Sequence, residues 1–300
     1  MHLSINYSHA AASLFQAGMI NVDRFKCPAW PDAVAAAREI HDVYVHFPLR
    51  VGTGKGDAID TETGVTADWM RIENFLVATN TPLVNLHLGP TTDDYPHIPI
   101  DSANPAHIER ITEDLIKDIN SVTSKFGASR VALENVHNGN SKYLRSVFLP
   151  VFINTVIDET GCGFLLDLSH ARLTAKHLEV DIYEYTRKLP VGAIREIHVT
   201  GIHKFEGHWL EIAREAGFDQ QVIDQYMGHY VDHLPMTGGD WEYLSWSVEQ
   251  IESGKWAEPW TITFEYGGVG GMFAPITDRE VIQLQVPRMY ELVHGPEDRP

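Results

Sequence analysis

Short apolar runs recur along this chain at similar intervals, and this recurrence limits the fold more than any other feature. Eight runs are found, at Leu3 to Tyr7, Val43 to Phe47, Leu83 to Leu88, Val131 to Leu133, Gly163 to Leu168, Ile194 to Thr200, Tyr230 to Leu234 and Thr261 to Tyr266. Their starts lie between 31 residues (163 to 194) and 48 residues (83 to 131) apart. That interval accommodates one strand, one helix and two loops. Runs that are apolar nearly throughout are typical of strands buried on both faces of a parallel sheet.

Helical patterns fill the intervals between these runs. The segment 108–125 has apolar residues at helical spacing and is followed by Gly127 at a C-cap position. Tyr143 to Ile157 and Val281 to Val293 show the same periodicity. Alternating strands and helices predict a parallel sheet, and eight such units predict a closed (β/α)8 TIM barrel. We expect residues 1–300 to form a single domain, with a doubly wound open sheet as the alternative.

Composition narrows the classes of function. The chain has 23 Lys and Arg against 41 Asp and Glu, a formal charge of −18, which disfavours nucleic acid as a partner. Cys27 and Cys162 are the two cysteines, which excludes a multi-thiolate zinc site and suits a reducing cytoplasm. The sequence shows neither a signal-peptide pattern nor an apolar stretch approaching the ~20 residues of a membrane helix. We therefore expect a cytoplasmic protein that does not bind membranes.

Two segments have open interpretations. The glycine-rich stretch 51–56 lacks the Ser or Thr that follows Lys in a P-loop, and we interpret it as a flexible active-site loop. The interval around 203–229 is longer than a plain loop. We favour the sixth barrel helix with its flanking loops there, and the alternative is a lid or partner-binding insertion. Aromatic residues are frequent in the last third, and some could line a pocket or a dimer contact.

Seven consecutive apolar runs end in histidine or carboxylate residues. The residues at these ends are His46, His87, Glu134, Asp167 with His170, His198, Asp232 with His233, and Glu265. One such residue alone is more often a hydrogen-bonded structural group. In a TIM barrel, however, the carboxyl ends of all the strands meet at one face, so these ionisable groups would converge. Cations would remove the cost of burying them together, and imidazole with carboxylate suits Zn, Fe, Mn or Co.

Around Asp167-Leu168-Ser169-His170 the sequence resembles the xylose isomerase-like TIM-barrel superfamily, over nearly the whole chain. Its ligand pattern is similar to those of endonuclease IV and the multinuclear non-heme iron-dependent oxidative enzymes. The resemblance implies three metal ions with the following ligands: His46, His87 and Glu134 for the first; Glu134 as a bridge, with Asp167, His198 and Glu265, for the second; His170, Asp232 and His233 for the third. The family pattern Asp-x-His is replaced here by adjacent Asp232 and His233.

The resemblance implies an enzyme with two or three divalent metal ions, with iron favoured over zinc or manganese. We expect oxidative modification of a small-molecule or peptide substrate, because the segment Ile197 to His203 resembles the oxidative iron enzymes. Expected catalytic residues are Glu134, Glu265 and His203, and His137 could also contact substrate or metal. A homodimer or a small partner protein is also expected.

Other functions remain open at this stage. A sugar or sugar-phosphate isomerase or epimerase would use one metal, held by Glu134, Asp167, His198 and Glu265. A phosphodiester hydrolase similar to endonuclease IV is disfavoured by the acidic charge. A barrel that only stores metal or binds peptides would give no reason for ligands clustered at the catalytic face.

Overall fold

Strands and helices alternate along the chain, as the sequence predicts. The structure, a computed structural model, describes residues 1–137, 142–271 and 273–295. The strands are β1 (His2–Asn6), β2 (Arg24–Pro28), β3 (Val43–His46), β4 (Leu49–Val51), β5 (Ile59–Asp60), β6 (Val84–Leu88), β7 (Val131–Glu134), β8 (Gly163–Asp167), β9 (Ile194–Val199), β10 (Gly201–Lys204), β11 (Tyr230–Leu234) and β12 (Thr261–Phe264). The helices are α1 (His9–Gln16), α2 (Pro31–Arg38), α3 (Trp69–Thr79), α4 (Pro105–Phe126), α5 (Pro150–Thr160), α6 (Leu168–His177), α7 (Ile182–Arg187), α8 (His208–Glu215), α9 (Gln220–Tyr226), α10 (Gly238–Glu252) and α11 (Arg279–His294).

The main sheet closes into the predicted barrel. Its strand order is β3-β2-β1-β12-β9-β8-β7-β6-β4-β5, and β4 with β5 is its antiparallel pair. Strands β3 and β4 are two halves of one bent strand, interrupted at Phe47 and Pro48. The first half pairs with β2 and the second with β6, so the two edges of the sheet are joined. In the described part of the chain, eight parallel strands form the barrel: β1, β2, β3 with β4, β6, β7, β8, β9 and β12.

The sequence predicted the number of barrel strands correctly but misassigned one of them. Tyr230–Leu234, expected as the seventh strand, pairs antiparallel with β10 in a separate two-stranded sheet. The missing barrel strand is Arg24–Pro28, which lies between β1 and β3. It escaped detection because charged and apolar residues alternate along it and it ends in proline, unlike a strand buried on both faces. Only the eight-residue helix α1 and short loops separate it from β1 in the sequence, so it also falls outside the spacing of the predicted strands.

A hairpin with two helices leaves the barrel between β9 and α10. It comprises residues 201–234, with α8 and α9 between strands β10 and β11, and we call it the cap hairpin. The interval 203–229 therefore holds two short helices outside the barrel wall, and α10 is the helix that precedes the last barrel strand. The hairpin begins at Gly201, where two segments of the chain pass very close to each other. A Cβ at this position would lie 1.7 Å from the Pro235 carbonyl oxygen. A role as lid or partner-binding surface stays a prediction.

The outer helices pack against the barrel through the predicted apolar faces. On α4, Ile111, Leu115, Ile119 and Val122 are buried, at the predicted helical spacing. The helix predicted from Tyr143 begins later, at Pro150, after a short 3-10 turn at Arg145–Phe148. Proline disfavours helical geometry in the residue before it, so α5 cannot extend upstream. Among the described residues, no helix is long and apolar enough to cross a membrane.

The glycine-rich stretch 51–56 is anchored to α4, which corrects its interpretation as a flexible loop. Backbone N–H groups of Gly52, Thr53 and Gly54 donate to Oδ2 of Asp118, at 2.8 to 3.1 Å. The N–H of Gly56 donates to Oδ1 of Asp118 at 2.6 Å. The Asp118 side chain is fully buried. The concave backbone that could hold a phosphate therefore holds an internal carboxylate instead.

Replacing Asp118 with Asn should destabilise the protein by about 2–3 kcal/mol, because the amide nitrogen cannot accept the hydrogen bonds that one carboxylate oxygen accepts. Urea unfolding, followed by circular dichroism, would measure this loss. Asp93→Asn is the matched control, since Asp93 is 70% exposed and pairs with Lys142 at the surface. It should change the free energy of unfolding by less than about 1 kcal/mol. Equal effects of the two substitutions would contradict the anchoring role of Asp118.

Candidate metal centre

Six successive barrel strands, from the third to the eighth, each place one ionisable side chain at the carboxyl end of the barrel. These residues are His46 on β3, His87 on β6, Glu134 on β7, Asp167 on β8, His198 on β9 and Glu265 directly after β12. The register aligns His87 with Glu134 and Asp167 with His198 on neighbouring strands. Each of these two pairs is therefore side by side, whereas Glu134 pairs with Leu165 and His198 with Thr263, so the barrel brings the groups together at its carboxyl end without aligning all of them in one row.

Glu134 lies at the centre of the cluster. Its Oε2 is 3.3 Å from Nε2 of His87 and 3.5 Å from Nε2 of His46. Its other oxygen, Oε1, is 3.8 Å from Nδ1 of His170 and 3.9 Å from Nδ1 of His198. The two oxygens of one buried carboxylate thus face two different sets of imidazoles.

The second part of the cluster combines Asp167, His198 and Glu265. Asp167 ends β8 and caps α6, because its Oδ1 accepts a hydrogen bond from the His170 N–H at 2.8 Å. Its Oδ2 lies 3.6 Å from Nε2 of His170. The Nδ1 atom of His198 lies 3.0 Å from Oε1 of Glu265. Ligand atoms of Asp167, His198 and Glu265 all lie within 4.8 Å of one another, close enough to share one ion.

A third group lies toward the cap hairpin. Oδ2 of Asp232 is 3.2 Å from Nε2 of His170 and 3.7 Å from Nε2 of His137. His137, which follows β7, thus joins His170 and Asp232 in a potential metal-binding set. His233 lines a cavity together with His137, His170 and Asp232. Its Nδ1 is 2.8 Å from the carbonyl oxygen of Glu265. Adjacent strand residues normally face opposite sides, but the left-handed backbone of His233 (φ 59°) breaks that alternation.

The cluster contains buried polar atoms that the protein itself does not satisfy. Among the described residues, four buried side-chain atoms lack a hydrogen bond: Glu134 Oε2, Asp167 Oδ2, His198 Nδ1 and Ser146 Oγ. Three of the four belong to this cluster. Buried polar atoms nearly always have partners, so their concentration here is the arrangement expected of a cation-binding site. The donor set of imidazoles and carboxylates fits a divalent metal ion.

In three of the imidazoles, one ring nitrogen donates a hydrogen bond to an acceptor, which leaves the lone pair of the other ring nitrogen facing the cluster. Nδ1 of His87 contacts the Leu49 carbonyl oxygen at 3.0 Å, and Nδ1 of His170 contacts the Asn135 carbonyl oxygen at 2.8 Å. A carbonyl only accepts, so both rings carry the proton on Nδ1 and expose Nε2. Nε2 of His198 lies 2.7 Å from Oε1 of Glu196. Partners of this kind fix ring orientation in metal sites.

The carboxylates and imidazoles of the cluster shift one another's pKa values. Burial acts to raise the pKa of Glu134, but His87 and the other imidazoles outweigh it and lower the pKa below its ordinary value. Burial acts to lower the pKa of His170, yet Asp167, Asp232 and Glu134 raise it to about 10. Burial raises the pKa of Asp167. In the protein alone, protonated His170 balances the carboxylates, and a metal ion would replace that proton.

Lys26 is a site residue that the sequence analysis missed. It lies on β2, is buried, and its Nζ contacts Oε1 of Glu265. Burial lowers its pKa to about 8, against the opposing effect of Glu134 and other carboxylates. A lysine between apolar residues in a short strand was the available signal, but β2 itself was not recognised. Lys26 therefore places an ammonium group beside the predicted ligands, although lysine is not itself a metal ligand here.

The structure brings all nine predicted ligands to the carboxyl face of the barrel. Six of them line a cavity of about 490 Å³ above the barrel, together with Asn6, Lys26 and Tyr143; these six are His46, His87, Glu134, His170, His233 and Glu265. Glu134 and Glu265, predicted as catalytic, are both central. His203 lies elsewhere, because its Nε2 is 2.7 Å from the Pro235 carbonyl oxygen and its ring packs edge-on against Trp209. It lies on β10 within the cap hairpin, and its catalytic role stays a prediction.

The closed (β/α)8 barrel with this cluster at its carboxyl face, together with the family match given next, makes the protein a metal-dependent enzyme of the xylose isomerase-like superfamily. A family model described as "RiPP precursor modification enzyme MbnB/TglH/ChrH" matches residues 31–234. The match covers more than half of the chain, which therefore belongs to this family.

Curated relatives carry the name UPF0276 protein. The relative from Chromobacterium violaceum is 26% identical over 199 residues, which cover 66% of this chain and 68% of the relative. The relative from Psychromonas ingrahamii is 35% identical over 52 residues, 17% of this chain and 18% of that protein. The match to the Psychromonas protein therefore spans less than a fifth of its length.

Solved structures with a similar fold include sugar epimerases. D-psicose 3-epimerase from Clostridium cellulolyticum H10 superposes with a TM-score of 0.53 and 10% identity, over 98% of both chains. A second D-psicose 3-epimerase structure, determined in the presence of D-fructose, has a TM-score of 0.55 and 11% identity, over 99% of this chain and 100% of that chain. At such low identity these likenesses establish the shared barrel.

Proposed function

We propose that this enzyme oxidatively modifies a peptide at a centre of two or three iron ions. The observation that carries this proposal is the position of Glu134, whose two oxygens face different groups of imidazoles. A carboxylate in this position is suited to bridging two ions. An enzyme with one metal would not need His46 and His87 as ligands.

The proposed ligand sets are those that the resemblance implies, and the distances give them partial support: Glu134 lies within 3.5 Å of His46 and His87, while the ligand atoms that lie within 4.8 Å of one another are those of His46, Glu134 and His198. His46, His87 and Glu134 would hold one ion, and Asp167, His198 and Glu265 would hold a second, with Glu134 between them. His170 and Asp232 would hold a third. The structure supports His137 as a further ligand of that ion, in addition to the sequence-based candidate His233.

The family description supports a peptide substrate, since its members modify RiPP precursors. When bound, iron would supply open coordination positions for dioxygen and a substrate heteroatom, together with electrons for the redox step. The chain's own residues orient the ligands, and the barrel mouth limits access of water. Lys26 holds a positive charge beside Glu265. Placement in the cytoplasm and association with a second copy or a small partner protein stay predictions.

A single-metal isomerase is the alternative, and one observation favours it. The four residues that it needs, Glu134, Asp167, His198 and Glu265, are all assembled in the barrel. Glu134 and Glu265 could then move a proton at a carbon next to a carbonyl. The two functions differ in their number of metals and in their need for dioxygen.

The deciding experiment uses anaerobically purified, iron-reconstituted protein. We expect at least two iron ions per chain by elemental analysis. On admission of air, a cysteine-containing peptide should be oxidised with consumption of dioxygen, and mass spectrometry would detect the product. The zinc-loaded protein should show neither change. One metal per chain, with turnover of a ketose or aldose by the magnesium or manganese form without dioxygen, would establish the isomerase instead.

A further inference from the structure

A second cavity opens beside the metal ligands, between the barrel mouth and the cap hairpin. Its volume is about 400 Å³. One end is formed by His170, Asp232 and His233, and the other end by the helices and strands of the cap hairpin. The loop after β12 contributes Phe273. We call this cavity the aromatic cleft.

The walls of the aromatic cleft are mainly apolar. Its apolar and aromatic lining residues include Phe205, Trp209, Phe218, Val222, Tyr226 and Phe273, and Gln225 and His229 are polar residues of the same lining. Among the described residues that line it, none is lysine or arginine, and Asp232 at the metal end is the carboxylate. Away from the metal end, a phosphate or carboxylate group would find no lysine or arginine side chain in this lining. Apolar walls with few polar groups select an apolar ligand.

The aromatic cleft and the cavity above the barrel meet at the metal ligands. Both are lined by His137, Tyr143, His170, His233 and Phe273. Away from these shared residues, the lining of the cavity above the barrel includes the charged residues Lys26 and Glu62 beside apolar ones such as Trp30 and Val269. The centre thus stands at the junction of a branch that contains charged residues and a mainly apolar branch. A free amino acid at the metals would leave the apolar branch empty, whereas a peptide would fill both.

We propose that the aromatic cleft binds a bulky apolar side chain of the peptide substrate, close in sequence to the residue that reaches the metals. This inference rests on the proposed peptide-modifying function and adds a rule for which peptides are accepted. Residues in an extended chain are about 3.3 Å apart along its axis. Because the cleft begins at His170 and Asp232 themselves, the apolar residue lies within a few positions of the modified one.

The test measures binding without turnover. The probes are fluorescein-labelled heptapeptides with a central cysteine among glycines, in which one flanking position carries either phenylalanine or serine. Fluorescence anisotropy with the iron-loaded protein under nitrogen gives the dissociation constants. At one or more flanking positions, phenylalanine should tighten binding by about tenfold to a hundredfold over serine, the range expected for burying that side chain.

A charge placed in the cleft should reverse this preference. Val222 on α9 lines the cleft, and Val222→Glu should abolish the advantage of phenylalanine and favour lysine at the same position. This gain of binding distinguishes an altered cleft from a misfolded protein. Val151→Glu is the matched control, since Val151 is 72% exposed on α5. It should keep the phenylalanine preference of the unaltered protein.

The outcomes separate this inference from the proposed function. Equal binding of the phenylalanine and serine peptides at every position would overturn the inference, even if the protein oxidises them with dioxygen. A phenylalanine preference that Val222→Glu leaves unchanged would also overturn it. A preference reversed by Val222→Glu, in a protein that consumes no dioxygen, would support the cleft and contradict only the oxidative chemistry.

Discussion

Glu134→Gln should remove at least two metal ions at once and lower activity by more than about a hundredfold. Mutating the outer partners of metal ligands typically costs 10- to 100-fold, and Glu134 is itself in contact with four imidazoles. Glutamine keeps the size of the side chain but removes the charge that two cations would share. It also replaces one ligand oxygen with an amide nitrogen, which is a poor ligand.

The measurement is metal content per chain after equilibration with a weak chelator, together with peptide turnover. Asp232→Asn is the matched control, because Asp232 contacts His137 and His170 at the edge of the cluster. Among the described ion pairs, it makes none with His46, His87 or His198. It should lower the content by one ion at most. His170 is a poorer control, since it lies in two of the potential sets. Full metal content and activity in Glu134→Gln would rule out bridging.

The convergence of these side chains could be predicted from sequence because barrel geometry makes strand ends converge. His46, His87, Glu134, Asp167 and His198 each follow a recognisable apolar run, so locating the strands also located the residues of the cluster, and their role as ligands stays a prediction. The same reasoning failed for Lys26, because Arg24–Pro28 does not resemble a buried strand. Strand composition, and not site chemistry, therefore limited what the sequence could predict.

The cap hairpin was the harder part of the fold to predict. Tyr230–Leu234 has the apolar composition and the spacing of a barrel strand, yet it pairs antiparallel with β10. Nothing local in a strand specifies its partner, because pairing depends on contacts distant in sequence. Even so, Asp232 and His233 reach the cavity, since the hairpin folds back over the barrel mouth. The position of His137 also depends on this arrangement, because Asp232 is its neighbour.

Glu196 is expected to control the metal-binding atom of His198 without contacting the metal. Oε1 of Glu196 lies 2.7 Å from Nε2 of His198, and the Tyr44 hydroxyl donates to the same oxygen at 2.8 Å. Its other oxygen accepts from Nε1 of Trp260 at 3.3 Å. A carboxylate only accepts in this contact, so His198 is protonated on Nε2 and presents the lone pair of Nδ1 toward Glu265. The carboxylate also makes the ring a stronger ligand.

Glu196→Gln should therefore weaken metal binding by about 10- to 100-fold, because an amide can donate to Nε2 and favour the opposite tautomer. Chelator competition would give the affinity, and the visible spectrum of the cobalt(II) form would report the ligand change at His198. Tyr44→Phe is the control, since it removes one hydrogen bond to Glu196 but keeps the contact between Glu196 and His198. It should have a smaller effect on affinity and leave the cobalt spectrum unchanged. If Glu196→Gln lowered only the unfolding midpoint of the metal-free protein, with affinity and spectrum intact, Glu196 would be a packing residue and not one that positions His198.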